Sequence, residues 1–416
     1  MARATAAVLS VACLIAFAGG CSSGGWVQGS AEALAPVGPD PMTLAAASAP
    51  AEPTEALSAG AGADEASMET LNVSRASFAD EGADFDPCVS PDGSRLFFAS
   101  TQHRRTSDLY VKLTDSRVVT QLTTDPADDA MPALSPDGTK LAFASNRNGQ
   151  WDIFVMPATG GRAVRITDDG ADEISPSWSA DGSSLVYSRV GSGSGRWEMW
   201  VAALANPGTP TFIGHGLFPK WCPVAGTGQN GADQIVFQQP RERGSRTFGV
   251  WTVDVTEGGV SNATQIVASP DSACINPSWS PDGRWIVFAE IPADGRAETR
   301  LFRDVRAESG SLWMISTAGE GRVPLTSGRG LNLSPVWGPD QRLFFVSDRT
   351  GRESIWAMEM GPAVASALAA TGRGGDFATG AGAGTSESGR AQAAGAGRAD
   401  NKPVATAREI EPNTPR

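Results

Sequence analysis

Between residues 71 and 360 the apolar residues fall in short alternating runs, and one polar tetrad keeps returning between them. Ser90-Pro91-Asp92-Gly93 recurs as Ser135-Pro136-Asp137-Gly138, Ser179-Ala180-Asp181-Gly182, Ser280-Pro281-Asp282-Gly283 and Gly338-Pro339-Asp340-Gln341. Pro presets the first corner of a tight turn, Asp bonds nearby backbone, and Gly accepts a left-handed conformation. Beyond each tetrad comes an apolar pair two residues apart: Leu96/Phe98, Leu141/Phe143, Leu185/Tyr187, Ile286/Phe288 and Leu343/Phe345. That spacing puts both side chains on one face of a strand. A degenerate sixth copy runs from Trp221-Cys222-Pro223 through a longer polar loop to Ile235/Phe237.

A third strand follows in every unit, at Asp108–Tyr110, Asp152–Phe154, Glu198–Trp200, Val250–Trp251, Leu312–Trp313 and Ile355–Trp356. A fourth ends near Thr123, Thr167, Ile213, Val267 and Thr326. Four antiparallel strands per repeat make a propeller blade, so the expected fold is all-β, a six-bladed β-propeller. The last unit lacks a fourth strand of its own. Thr70-Leu71-Asn72-Val73-Ser74, just ahead of the first blade, resembles the missing strand, and its pairing there would close the ring and remove the open edge.

The flanks read differently. Arg3, the apolar run Val8 to Phe17 and the small residues Ala18-Gly19-Gly20 before Cys21 form a secretory signal. A cysteine directly after small residues is similar to the signal of bacterial lipoproteins, which implies cleavage after residue 20 and acylation of Cys21. Ser22 in place of aspartate resembles the outer-membrane sorting signal. Residues 21–70 hold seven acids and no Lys or Arg, and are Ala- and Pro-rich, a composition expected of a flexible acidic tether. Residues 361–416 are expected as a disordered low-complexity tail, with a weak helix from Ala363 to Thr371. The formal net charge of −13 offers no surface that would neutralise nucleic-acid phosphates. With only His103 and His215 present, a multi-histidine metal site is excluded, and Cys88, Cys222 and Cys274 have neither zinc-site spacing nor an even count. They are expected as small buried side chains.

The repeat Pro-x-Trp-Ser-Pro-Asp-Gly resembles those of TolB-like six-bladed propellers. Pro176-Ser177-Trp178-Ser179, Pro277-Ser278-Trp279-Ser280, Phe143 to Arg147 and Asp152 to Met156 carry the likeness. It implies a periplasmic or cell-surface binding role. TolB joins its propeller to an N-terminal α/β domain; a tether is expected in that place here, so TolB's own partners are not carried over. Neither flank offers the Gly-x-Ser-x-Gly elbow of the hydrolases that carry related propellers. The chain is therefore expected to be a non-enzymatic, lipid-anchored and monomeric adaptor for an envelope protein or peptide. The alternative is a carbohydrate-binding or carbohydrate-degrading surface protein.

Two candidate sites stand out. Asp84, Asp86, Asp128, Asp129, Asp172, Glu173 and Asn332 lie at the starts of the first strands, where they would gather at one end of the central channel as an acidic mouth. Alternatively they accept backbone hydrogen bonds in loops between blades. The second candidate is the insertion from Ile291 to Gly310, with Arg296, Arg300, Arg303 and Arg306 among four acids, expected as a partner loop. No cofactor is expected. The turn aspartates could suggest calcium, but they sit one per hairpin, which favours a structural role. The tryptophans recurring at two repeat positions are expected to pack blades together rather than to stack sugars.

Overall fold

The computed structural model describes residues 72–240, 247–256, 259–292, 309–327 and 330–370. Six four-stranded antiparallel sheets follow one another along these residues. Their innermost strands are Asp84–Val89, Asp129–Leu134, Glu173–Trp178, Leu217–Trp221, Ser272–Trp279 and Asn332–Trp337, each packed against its neighbours round a ring. The expected propeller is what the chain forms. Its ring closes as expected too: Val73–Arg75 adds to the outer edge of blade six, with Val73 opposite Met358 and Arg75 opposite Trp356.

The second strands explain the stability of the arrangement. Leu96/Phe98, Leu141/Phe143, Leu185/Tyr187, Ile235/Phe237, Ile286/Phe288 and Leu343/Phe345 are all at most 3% exposed. The intervening Phe97, Ala142, Val186, Val236, Val287 and Phe344 are fully buried as well. Each blade lies between two others, so both faces of its second strand meet apolar neighbours. A buried Leu or Phe contributes roughly 1.5–3 kcal/mol.

The turns do what their chemistry suggests. Asp137 Oδ1 accepts hydrogen bonds from the Ser135 hydroxyl at 2.5 Å and the Thr139 N–H at 3.0 Å, while Gly138 sits at φ +70°. The same pattern recurs around Asp92, Asp181 and Asp282.

At the C-terminal end the structure departs from the composition-based boundary. Residues 361–370 form a helix, α1 (Gly361–Ala370), two residues ahead of the expected start at Ala363 and packed on the propeller rather than part of a tail. Ala363 and Ala367, one turn apart, are buried in the same core cluster as Met360. Their small side chains allow the helix backbone to lie close on the propeller. Cys21, the tether and the residues after Ala370 lie outside the described residues.

Candidate functional site

Every innermost strand bends at the same place. The register between first and second strands slips once per blade. At each slip one residue adopts a left-handed backbone: Asp86, Met131, Ser175, Phe218, Asn276 and Ser334, with φ between +49° and +55°. Each directly precedes a proline. A bulge re-aims side chains, and here it turns six of them into the central channel, where Lys220 and Val336 join the lining. The cavity volume is about 50 Å³, space for a few water molecules or one very small ligand.

Charge in this constriction comes from two residues. Burial pushes the Asp86 carboxyl up to about 6, against the opposing effects of the Met131 N–H, which donates to Asp86 Oδ2 at 3.2 Å, and of the Lys220 charge. Burial likewise lowers Lys220, and the Cys88 thiol beside it is raised.

The other members of the expected acidic mouth sit elsewhere. Asp84, Asp129, Glu173 and Asn332 occupy equivalent first positions and are at most 1% exposed. Arg147 donates to Asp129 and Arg349 to Asn332, while Arg189 lies 3.9 Å from Glu173. Asp84 rests beside Ser77 and Ser100. Asp128 Oδ1 accepts the Ser107 N–H at 2.8 Å and Asp172 Oδ1 accepts the Trp151 N–H at 3.0 Å, each tying a loop of the preceding blade. Of the residues expected at the acidic mouth, Asp86 is the one that lines this cavity. Asp128, Asp129, Asp172 and Asn332 bond the ends of the blades together, whereas Glu173 is buried without a hydrogen-bond partner of its own.

Arg296, Arg300, Arg303 and Arg306 lie outside the described residues. The strand bounds still fix the length of their connection. Eighteen residues separate Pro292 from Ser311, whereas the other five second-to-third-strand connections have six or seven.

Apart from Asp86, the residues of the constriction could not be singled out from the sequence. Lys220 belongs to the degenerate blade four, and Asn276 looks like any loop asparagine before proline. The position ahead of each Pro was the available signal, but nothing in one sequence shows that it faces the channel.

The tryptophans do not form an open platform. Trp178 Nε1 donates to the Ala133 carbonyl and Trp279 Nε1 to the Lys220 carbonyl, each of the preceding blade. Arg189, Arg322 and Arg349 lie over the rings of Trp200, Trp313 and Trp356 at 4.1–4.8 Å. Cys88, Cys222 and Cys274 are free thiols. No group of three or more His, Cys, Asp or Glu among the described residues is placed to hold a metal ion.

Residues 66–210 match the family model of the TolB beta propeller domain, PD40. Within that stretch the repeats are of the TolB type. Among solved structures, TolB from Acinetobacter baumannii is 20% identical over 62% of this chain and 57% of that one, with a TM-score of 0.48. An oligogalacturonate lyase from Vibrio parahaemolyticus is 14% identical over 70% of this chain and 97% of its own, with a TM-score of 0.46. A gluconolactonase from Xanthomonas campestris is 10% identical over 70% and 90%, with a TM-score of 0.50. At such identities the likeness concerns the fold, which serves many functions. No curated protein matches the chain. No helix among the described residues is long and apolar enough to cross a membrane.

Proposed function

We propose that this TolB-type propeller is a non-catalytic binding module of the cell envelope, anchored through lipid on Cys21, that holds a protein or peptide at one end of its ring. The observation that carries this reading is the inequality of the two ends. One end is built from near-identical hairpin turns whose aspartates are occupied by their own Ser and backbone donors. The other end carries the second-to-third-strand connections, of which the one in blade five is eighteen residues against six or seven elsewhere. In repeat proteins an insertion confined to one face marks the surface adapted to a partner. The mixture of Arg296, Arg300, Arg303 and Arg306 with Asp294, Glu298, Asp304 and Glu308 suits a polar protein surface. A cavity of about 50 Å³ is too small for an oligosaccharide, which weighs against the carbohydrate reading.

The test is site-specific photo-cross-linking in the native cell. A photoreactive residue replaces Arg300 or Arg303 in one set of cells and Asp181, at the hairpin end, in another. A discrete adduct with an envelope protein from the loop positions alone is the expected result. Equal adducts from both ends, or none from the loop, would overturn the reading. Release of a Cys21→Ser chain from the membrane fraction tests the anchor separately.

A further inference from the structure

Lys220 and Asp86 belong to blades four and one, which stand opposite each other in a ring of six. Each feels the charge of the other across the channel. They are not in ion-pair contact, and among the described residues the Lys220 ammonium has neither a hydrogen-bond nor an ion-pair partner. A lysine has a flexible four-carbon stem and three donors, so it finds a partner readily where one is near. Here the ammonium and the carboxylate line one cavity without forming an ion pair.

Asn276 adds an independent observation. It is 8% exposed, its side-chain Oδ1 has no partner, and it lines the same cavity. Its backbone N–H is fixed by Gln238 Oε1 at 2.8 Å, so the residue is firmly placed. A buried amide oxygen without a donor costs on the order of 1–3 kcal/mol, which a ligand N–H would relieve. Met131, Phe218 and Val336 supply apolar wall between these polar groups.

The charges restrict what fits. A simple anion at Lys220 would face the Asp86 carboxylate, and a simple cation at Asp86 would face the Lys220 ammonium. A molecule carrying both charges a few atoms apart satisfies both. We propose that the constriction is a binding site for a small zwitterion of the α-amino-acid class. Its carboxylate is held by Lys220, and its ammonium lies between Asp86 and Asn276 Oδ1. The volume of about 50 Å³ limits it to a short side chain. The site depends neither on the lipid anchor nor on a protein partner at the blade-five loop.

The experiment is calorimetric titration of the full mature chain at neutral pH. Glycine and L-alanine are the probes, and acetate and methylammonium at matched ionic strength are the single-charge controls. Saturable binding of glycine or alanine, weakened about tenfold or more in Lys220→Met, with no saturable signal from either control, is expected. Asp86→Asn keeps the acceptor for the Met131 N–H while removing the charge, and should weaken binding likewise; it serves if Lys220→Met does not fold. Equal binding of acetate or of methylammonium would overturn the proposal. So would a lack of saturable binding by all four compounds, or unchanged affinity in a folded variant.

Discussion

One nitrogen of Arg147 bridges both oxygens of the buried Asp129, Nη2 donating to Oδ1 at 2.8 Å and to Oδ2 at 3.0 Å. In blade six Arg349 makes the matching contact with the oxygen of Asn332 at 3.0 Å. The two pairs show that the position needs an acceptor more than a negative charge. Burial outweighs the arginine and raises the Asp129 carboxyl above its ordinary range.

Removing the donor should therefore cost more than removing the charge. Arg147→Ala leaves a buried carboxylate uncompensated, and the expected loss is about 3 kcal/mol. Asp129→Asn, which copies blade six, should cost under about 1 kcal/mol. Urea unfolding of the two variants checks the order. Equal losses would mean that the pair acts through charge.

This contact shows where the sequence was legible. The hairpin tetrads, the Leu-x-Phe pairs and the strand before blade one were readable because backbone geometry and strand periodicity depend on a few residues close in sequence. The direction of a side chain at a bulge does not. Asp84 and Asp86 look alike in the sequence, yet one bonds within the blade end and the other faces the channel. The left-handed turn before proline separates them, and that turn follows from how six strands converge on one axis. The helix after Met360 was legible only as a weak one from Ala363 for a similar reason: its alanines gain stability only from the propeller surface beneath them.

Glu173 predicts an unusual pH dependence. The carboxyl is fully buried, neither oxygen has a hydrogen-bond partner, and burial with the nearby Asp169 raises it to about 9. Its ordinary value is about 4.5, so between the two the folded chain binds one more proton than the unfolded chain. Stability is then fully present below about 4.5 and falls as pH rises toward 9, by at most about 1.4 kcal/mol per unit. Glu173→Gln should flatten this slope and raise the melting temperature at pH 8 more than at pH 5. Parallel curves for the two proteins would show that Glu173 does not titrate there.

Asp137, in the hairpin turn of blade two, titrates in the opposite sense. Hydrogen bonds from Ser135 and Thr139 lower the Asp137 carboxyl to about 2, so its contribution is present above the ordinary carboxylate value and is lost as pH falls toward 2. Since those donors already occupy its oxygens, calcium and EDTA should leave the melting temperature unchanged. A calcium-dependent rise, removed by Asp137→Ala, would establish a metal role for these turns.

The two ends of the described chain make the last prediction. Val73–Arg75 supplies the outer strand of blade six, and Arg75 donates to the Ser354 hydroxyl at 3.0 Å. Just beyond, the Ser77 hydroxyl accepts the Ile355 N–H at 2.9 Å. A chain beginning near Phe85 loses that strand and these contacts, and blade six is left with an unpaired edge. Its melting temperature should fall by several degrees, since about 1 kcal/mol corresponds to roughly 2–4 °C in a chain somewhat smaller than this ring. Ending the chain at Met360 removes α1 and uncovers core that Ala363 and Ala367 bury, so a smaller fall is expected. Ending it at Ala370 retains both, and should melt with the full-length protein. If the chain begun near Phe85 melted at the full-length temperature, the ring would not depend on its closing strand. If the chains ended at Met360 and Ala370 melted together, α1 would add nothing to the core.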